Sequence, residues 1–502
     1  MKGKTTSLFV LKLDYYTETI RMRKIKEECG VFGVYAKEVQ NVASMSYYGL
    51  YALQHRGQDS CGIVVNDGGV FTGHKDLGLV GDVFDKKTLS KLGNGKIAIG
   101  HVRAGTKGSI NIANAQPLVV NHVKGSMAIA YNGSLINKQQ LRTDLELQGS
   151  IFHSTGATEV IAYEIIKERL KAPSIEHAVC KAMDSLKGAY CILVMSPTKL
   201  IAARDPHGFR PLCFGVKDDG SYVVASESCA LDSVGAKLVR DVKPGEVVVF
   251  DAMGVRSLDE HVGSKKMSSC IFEFVYNARP DSVIDGYSVH EARLEMGKYL
   301  ARKYPVKADV VISIPDSGND AAIGYAKESG IPFELGFLKN KYIGRTFIFP
   351  DQKDREDQVR KKLNPIASVV RGKRVVMVDD SIVRGTTSGR VVKLLREAGA
   401  TEVHFMVSSP PFLYPCYYGT DISSRESLIA NNHSIEEIRK LVGVDTLGYL
   451  DLEDMKKIAL MDGKNSFCYA CFDGKYSTEI PVVQEKSKFE TKINIEEKTK
   501  RH

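Results

Sequence analysis

Two adjacent carboxylates, Asp379 and Asp380, close the apolar run RVVMVDD and are followed directly by SIVRGTTS. The run reads as a strand that carries the acids at its carboxyl end. Ser381, Arg384, Gly385, Thr386, Thr387 and Ser388 then read as a small, hydroxyl-rich turn that opens a helix. Backbone N–H groups at a helix start bind phosphate, and a glycine lets the backbone approach it. Paired carboxylates suit ribose hydroxyls or a magnesium ion, which takes one or two carboxylates together with phosphate oxygens. Two acids alone would be an ordinary solvated cap. Strand, acids, Gly-Thr turn and helix together point to a phosphorylated sugar.

A second stretch, KNKYIGRTFI, sets Lys339, Lys341 and Arg345 around a glycine. By itself this is an ordinary solvated basic loop; beside a phosphate-binding turn, cations that close over a departing anionic group stabilise its charge and exclude water. Cys29, in EECGVFGVY, stands between two glutamates and a Gly-spaced strand rather than inside it, where it would merely pack. Cys468 and Cys471 form C-x-x-C, and Cys270 and Cys416 could complete a four-thiolate site. From spacing alone, zinc or no metal at all are the readings. Cys191 and Cys213 lie in strand-like apolar runs, and Cys61, Cys180 and Cys229 show no partner pattern; all five read as small buried hydrophobes.

Positioning these groups takes two kinds of scaffold. The first half is rich in short strand-like runs, such as CGVFGVY, KIAIGHVR, SMAIAYNG and GAYCILVM, with helical patterning between some of them. This rhythm predicts a layered α/β sandwich containing antiparallel sheet. The second half repeats strand, loop and helix (ADVVISI, AAIGYAKESG, RVVMVDD, SGRVVKLLREAG, TEVHFMVSS), which predicts a doubly wound parallel sheet. No GxxxxGK[ST] occurs, and no GxGxxG follows a strand, so neither a P-loop nor a dinucleotide fingerprint is present.

Bulk properties narrow the class. At roughly 100–200 residues per domain, a chain of 502 residues holds two to four domains. The net charge is +9, of which residues 1–28 carry +3 and residues 485–502 carry +2. The remaining +4 is too little for the basic face of a nucleic-acid binder. No apolar window reaches membrane length, SLFVLKLDYYTETI makes a poor secretory signal, and ten cysteines without a disulfide pattern fit a cytoplasmic protein.

VVMVDDSIVRGTTS resembles the phosphoribosyl-pyrophosphate (PRPP) loop of type I phosphoribosyltransferases. ECGVFGVY, with QHRGQDS, GHVR and NGSL, resembles the glutaminase domain of N-terminal-nucleophile amidotransferases. Together, over roughly residues 27–480, the chain resembles the glutamine PRPP amidotransferase family. The resemblance implies an αββα sandwich over 29–257 and a phosphoribosyltransferase domain over 258–484. Residues 1–28 are then a propeptide cleaved after Glu28, and 485–502 a disordered tail.

It also implies roles. Cys29 becomes the nucleophile, its own α-amino group serving as base. Arg103 grips the glutamine α-carboxylate and Thr106 belongs to the same pocket. Asn132 and Gly133 form the oxyanion hole. Ser317, Asp379 and Asp380 hold Mg2+, while Ser381, Arg384, Gly385, Thr386, Thr387 and Ser388 surround the sugar phosphate and Lys339, Lys341 and Arg345 face the pyrophosphate. Cys270, Cys416, Cys468 and Cys471 carry a [4Fe–4S] cluster. Expected partners are PRPP, glutamine or ammonia, and purine nucleotides as inhibitors, on a homotetramer with neither nucleic acid nor membrane. The activity implied is formation of 5-phosphoribosylamine for purine synthesis.

One pocket departs from the family text. Gly156 and Ala157 stand where the family has serine and the aspartate that holds the substrate's α-amino group. Ala104, Tyr131 and Ser134 replace a usual tyrosine, histidine and asparagine. Losing that carboxylate removes about 1.5–3 kcal/mol, roughly 10–150-fold in glutamine binding. Weakened glutamine use, with ammonia or another amine as donor, is the expectation. The alternative is a PRPP- or nucleotide-sensing relative with a lapsed amidase pocket.

Overall fold

The computed structural model describes residues 29–105, 110–340, 363–420, 422, 424–459 and 466–481. The propeptide and tail assignments, Thr106, Lys341 and Arg345 lie outside them.

The N-terminal half is two stacked antiparallel sheets. One runs in the order Lys237–Asp241, Cys213–Val216, Tyr222–Ala225, Gly30–Gln40, Gly95–Arg103, Ser60–Asp67, Val70–Leu77. The other runs Gly254–Leu258, Val247–Asp251, Leu200–Arg204, Gly188–Met195, Gly125–Leu135, Leu118–His122. Side chains alternate along a strand. Val31, Ile99, Ala128, Ala130 and Leu193 therefore fill the space between the sheets. Phe32 and Val34 turn outward beneath helix Val42–Ala52, and Met127 and Ile129 lie under helices Ala157–Arg169 and Ile175–Ala182. Because both faces are covered, runs such as GAYCILVM are apolar without a break.

In the C-terminal half, four parallel strands pair in the order Val310–Ser313, Arg374–Asp379, Glu402–Val407, Thr446–Tyr449. Helices Val289–Lys303 and Asn319–Ser329 cover the face bearing Val311, Val376 and Met406. Thr386–Glu397 and Ile435–Val442 cover the face bearing Val375, Met377 and Phe405. The sheet is doubly wound.

Connectivity fixes where a ligand belongs. After Val310–Ser313 the chain passes through helix Asn319–Ser329 and bridges in parallel at Phe333, on the outer side of Val311. After Arg374–Asp379 it passes through Thr386–Glu397 to Glu402–Val407, on the opposite side. The two crossovers diverge, so the carboxyl ends of Val310–Ser313 and Arg374–Asp379 flank a switch point, the usual ligand crevice of open α/β sheets.

Candidate active sites

At that switch point, Ser317 and Ser381 both donate hydroxyl hydrogen bonds to Asp380. Asp379 accepts from the Asp380 N–H at 2.9 Å. Burial pushes the Asp380 carboxyl up against the pull of the two serines and Arg293. Gly385 caps helix Thr386–Glu397 at φ +76°, and no side chain of the cap answers the first-turn N–H groups. The positive φ is what calls for glycine; a Cβ there would also stand 2.5 Å from Ile429 Cδ1, the movable end of that side chain. Arg384, Thr386, Thr387 and Ser388 follow the acids around this turn, with Ser388 buried. Lys339 ends strand Phe337–Lys339 and forms an ion pair with Asp316, across the crevice. The predicted phosphate end is thus brought together, apart from the two cations beyond the described residues.

At the other site, partly exposed Cys29 precedes strand Gly30–Gln40, with its Sγ 4.0 Å from Ala104 O. Val31 pairs with His101, and a ring nitrogen of His101 lies 2.9 Å from Tyr131 O, which ties the start of this strand to Asn132. Asn132 is fully buried on the inter-sheet parity of Ala128 and Ala130, and neither of its amide atoms has a hydrogen-bond partner. An orphaned amide of this kind costs about 1–3 kcal/mol, and its unanswered N–H donor is suited to receive an oxyanion. Gly133 adopts φ +142°, where a Cβ would fall 2.1 Å from Ala189 O.

Arg103 donates to Asn114 O at 2.6 Å, and Asn114 Oδ1 accepts from Thr155 N at 3.1 Å. A Cβ on Gly156 would stand 3.3 Å from that same oxygen. Arg103 and the substituted Gly156 therefore border one region. Glu159, the acid nearest in sequence, is engaged by the N–H groups of His153 and Ser154 and by the Ser154 hydroxyl.

The four remaining cysteines also converge. Cys270 and Cys468 sit opposite each other in a two-strand parallel pair. Cys270, Cys416, Cys468 and Cys471 line one pocket with Phe272, Phe412, Tyr418, Ile422 and Tyr476. Burial pushes the Cys468 thiol up to about 12 and also raises the Cys471 thiol well above its usual value, with the neighbouring thiols adding to both shifts. Among the described residues, no three His, Cys, Asp or Glu side chains gather closely enough to hold a single metal ion.

The matches to known proteins agree with both halves. The glutamine amidotransferase domain family matches residues 106–233 and the phosphoribosyl transferase domain family matches 292–410. Amidophosphoribosyltransferase of Bacillus subtilis is 50% identical over 463 residues, 91% of this chain and 96% of that protein. Its counterpart in Methanocaldococcus jannaschii is 48% identical over 466 residues, 90% of this chain and 98% of that one. The chain belongs to the amidophosphoribosyltransferase family. The solved B. subtilis glutamine PRPP amidotransferase, complexed with ADP and GMP, superimposes with a TM-score of 0.84 at 50% identity, over 90% of this chain and 98% of that one. A second structure, described as the allosteric regulatory enzyme of purine biosynthesis, gives a TM-score of 0.85 at 50% identity, covering 90% and 97%.

One feature of this amidophosphoribosyltransferase fold escaped the sequence. Arg56 pairs with both Glu227 and Glu273, and Glu273 also receives Arg210 at 3.3 Å, all of them buried. Burial alone would raise the Glu227 carboxyl, but Arg56 and His55 hold it well below the usual range. The signal was a charge inside an apolar run, Glu273 in CIFEFVY.

Proposed function

We propose that the chain makes 5-phosphoribosylamine from PRPP, with nitrogen released from glutamine at a separate site. The observation that carries this reading is the meeting of Ser317 and Asp380 above a glycine-capped helix start, on the same chain as the Cys29 and Asn132 site. Removal of residues 1–28 exposes the Cys29 α-amino group, which takes the thiol proton. The Cys29 sulfur attacks the glutamine amide carbon while Asn132 and Gly133 hold the oxyanion. Collapse expels ammonia, and water then releases glutamate from the thioester. Ammonia stays nucleophilic only if it is kept from water, where it is mostly protonated. It attacks the ribose anomeric carbon as pyrophosphate departs, with Lys339, Lys341 and Arg345 answering the charge of the leaving group.

Ser317, Asp379 and Asp380 bring hard oxygen donors together at the switch point of the sheet, so Mg2+ fits there. When bound, it neutralises charge on the pyrophosphate. Four thiols lining one apolar pocket are a soft, sulfur-only donor set of the kind that holds a [4Fe–4S] cluster. Cys270, Cys416, Cys468 and Cys471 would hold it, and its iron would supply the positive charge their thiolates need.

Purine nucleotides as inhibitors, a homotetramer and a cytoplasmic setting belong to the same reading. The inhibitor reading is supported by the ADP and GMP complexed with the B. subtilis enzyme. Ala157 in place of a carboxylate favours weak glutamine use. Pyrophosphate release from PRPP with glutamine or with ammonia tests the proposal. Release with either nitrogen source is expected; release with neither, as from a PRPP-sensing protein, overturns it.

A further inference from the structure

The seam between the domains is answered almost everywhere. Arg56 packs within 3.4 Å of where a Gly30 Cβ would stand, next to Cys29, and reaches Glu273. The Arg279 N–H donates to Glu227 at 2.9 Å, and Arg279 Nη1 donates to Ala52 O at 3.3 Å. From the phosphoribosyl side, Arg293 donates to Phe274 O at 2.7 Å and Ala278 O at 2.8 Å, and its Nη1 lies 3.9 Å from Asp320, in the helix that follows Ser317. Segment 273–279 therefore touches the surroundings of both reaction centres.

Asn277 lies in the middle of that segment and is the exception. It is 6% exposed, and its Oδ1 and Nδ2 have no hydrogen-bond partner. Among the described residues, only Asn132 and Asn277 leave both side-chain amide atoms buried and unanswered. Its neighbours Phe274 and Val275 are buried apolar residues, so packing alone would favour a leucine here. The backbone at Glu273–Asn277 takes a π-helical turn, a feature frequent at functional sites. A buried amide that keeps one acceptor and one donor ready suits a small neutral molecule that both donates and accepts. Ammonia does both: an N–H to Oδ1, its lone pair to Nδ2–H.

Resting on the function proposed above, we infer that Asn277 is a relay for ammonia crossing from the Cys29 site to the ribose at Asp380. It is a positioning residue and takes no part in bond making. The test uses full-length enzyme supplied with PRPP and saturating glutamine, with Asn277→Leu and Asn277→Ser measured beside the wild type. Glutamate formed per pyrophosphate released is the readout, together with the rate on added ammonia. The wild type should give a ratio near one. Asn277→Leu should raise the ratio several-fold while the ammonia-driven rate holds and the thermal midpoint holds or rises, and Asn277→Ser should recover part of the coupling. An unchanged ratio in Asn277→Leu, as expected if only a water sits there, overturns the relay. Equal loss of glutamine- and ammonia-driven rates overturns it too, as does a wild type that hydrolyses no glutamine. A wild type that releases no pyrophosphate with ammonia refutes the functional reading itself.

Discussion

Arg56 of the N-terminal sandwich and Glu273 of the C-terminal domain meet at 2.6 Å, with each side chain only 1% exposed. Removing one partner of a buried pair strands the other charge, at a cost of about 3–5 kcal/mol. Arg56→Leu should lower unfolding stability by that amount in urea titration. Arg56→Lys should recover little, because a lysine cannot fork between Glu227 and Glu273.

Ala157→Asp should restore a carboxylate near Arg103 and Asn114. A charge-assisted contact of about 1.5–3 kcal/mol corresponds to roughly 10–150-fold. The glutamine KM should fall by that factor while the ammonia-dependent rate stays unchanged. A glutamine KM that does not move would remove the carboxylate as the explanation.

Gly385→Ala should damage the phosphate end alone. Positive φ strains an alanine by about 1–3 kcal/mol, and its methyl would press on Ile429 Cδ1. The PRPP KM should rise about tenfold or more, with glutaminase turnover at Cys29 preserved, when both half-reactions are assayed on one preparation.

His101 carries a pH signature. Burial lowers its pKa from 6.5 to about 3. The unfolded chain therefore takes up a proton that the folded one refuses. Stability is intact above pH 6.5 and falls by about 1.4 kcal/mol per pH unit below it, towards pH 3. The stability difference between wild type and His101→Asn should shrink along that slope as the pH is lowered, read from denaturation midpoints.

Much of the scaffold was legible because local pattern and burial coincide. The strands around Val31, Ile99, Ala130 and Leu193 are apolar on both faces and announce themselves, as does the Gly-Thr turn after Asp380. Strand Val70–Leu77, VFTGHKDL, gave no such signal, since it lies at an edge with most of its residues at least partly exposed. The Ser317 contact to Asp380 depends on the crossovers diverging, and the Arg56 pairs join residues 171 and 217 positions apart. No local window contains either relationship. Spacing could offer the four cysteines only as one possible thiolate set, because the parallel pairing of Cys270 with Cys468 is set by tertiary structure.

If one polypeptide frees ammonia at Cys29 and delivers it to a distant ribose, the thiol should matter for one nitrogen source and not for the other. Pyrophosphate release by Cys29→Ala, measured with glutamine and with ammonia, addresses this directly. The glutamine-driven reaction should vanish while the ammonia-driven one persists at the wild-type rate. Undiminished turnover on glutamine, or equal loss on both donors, would contradict the division of labour between the two sites.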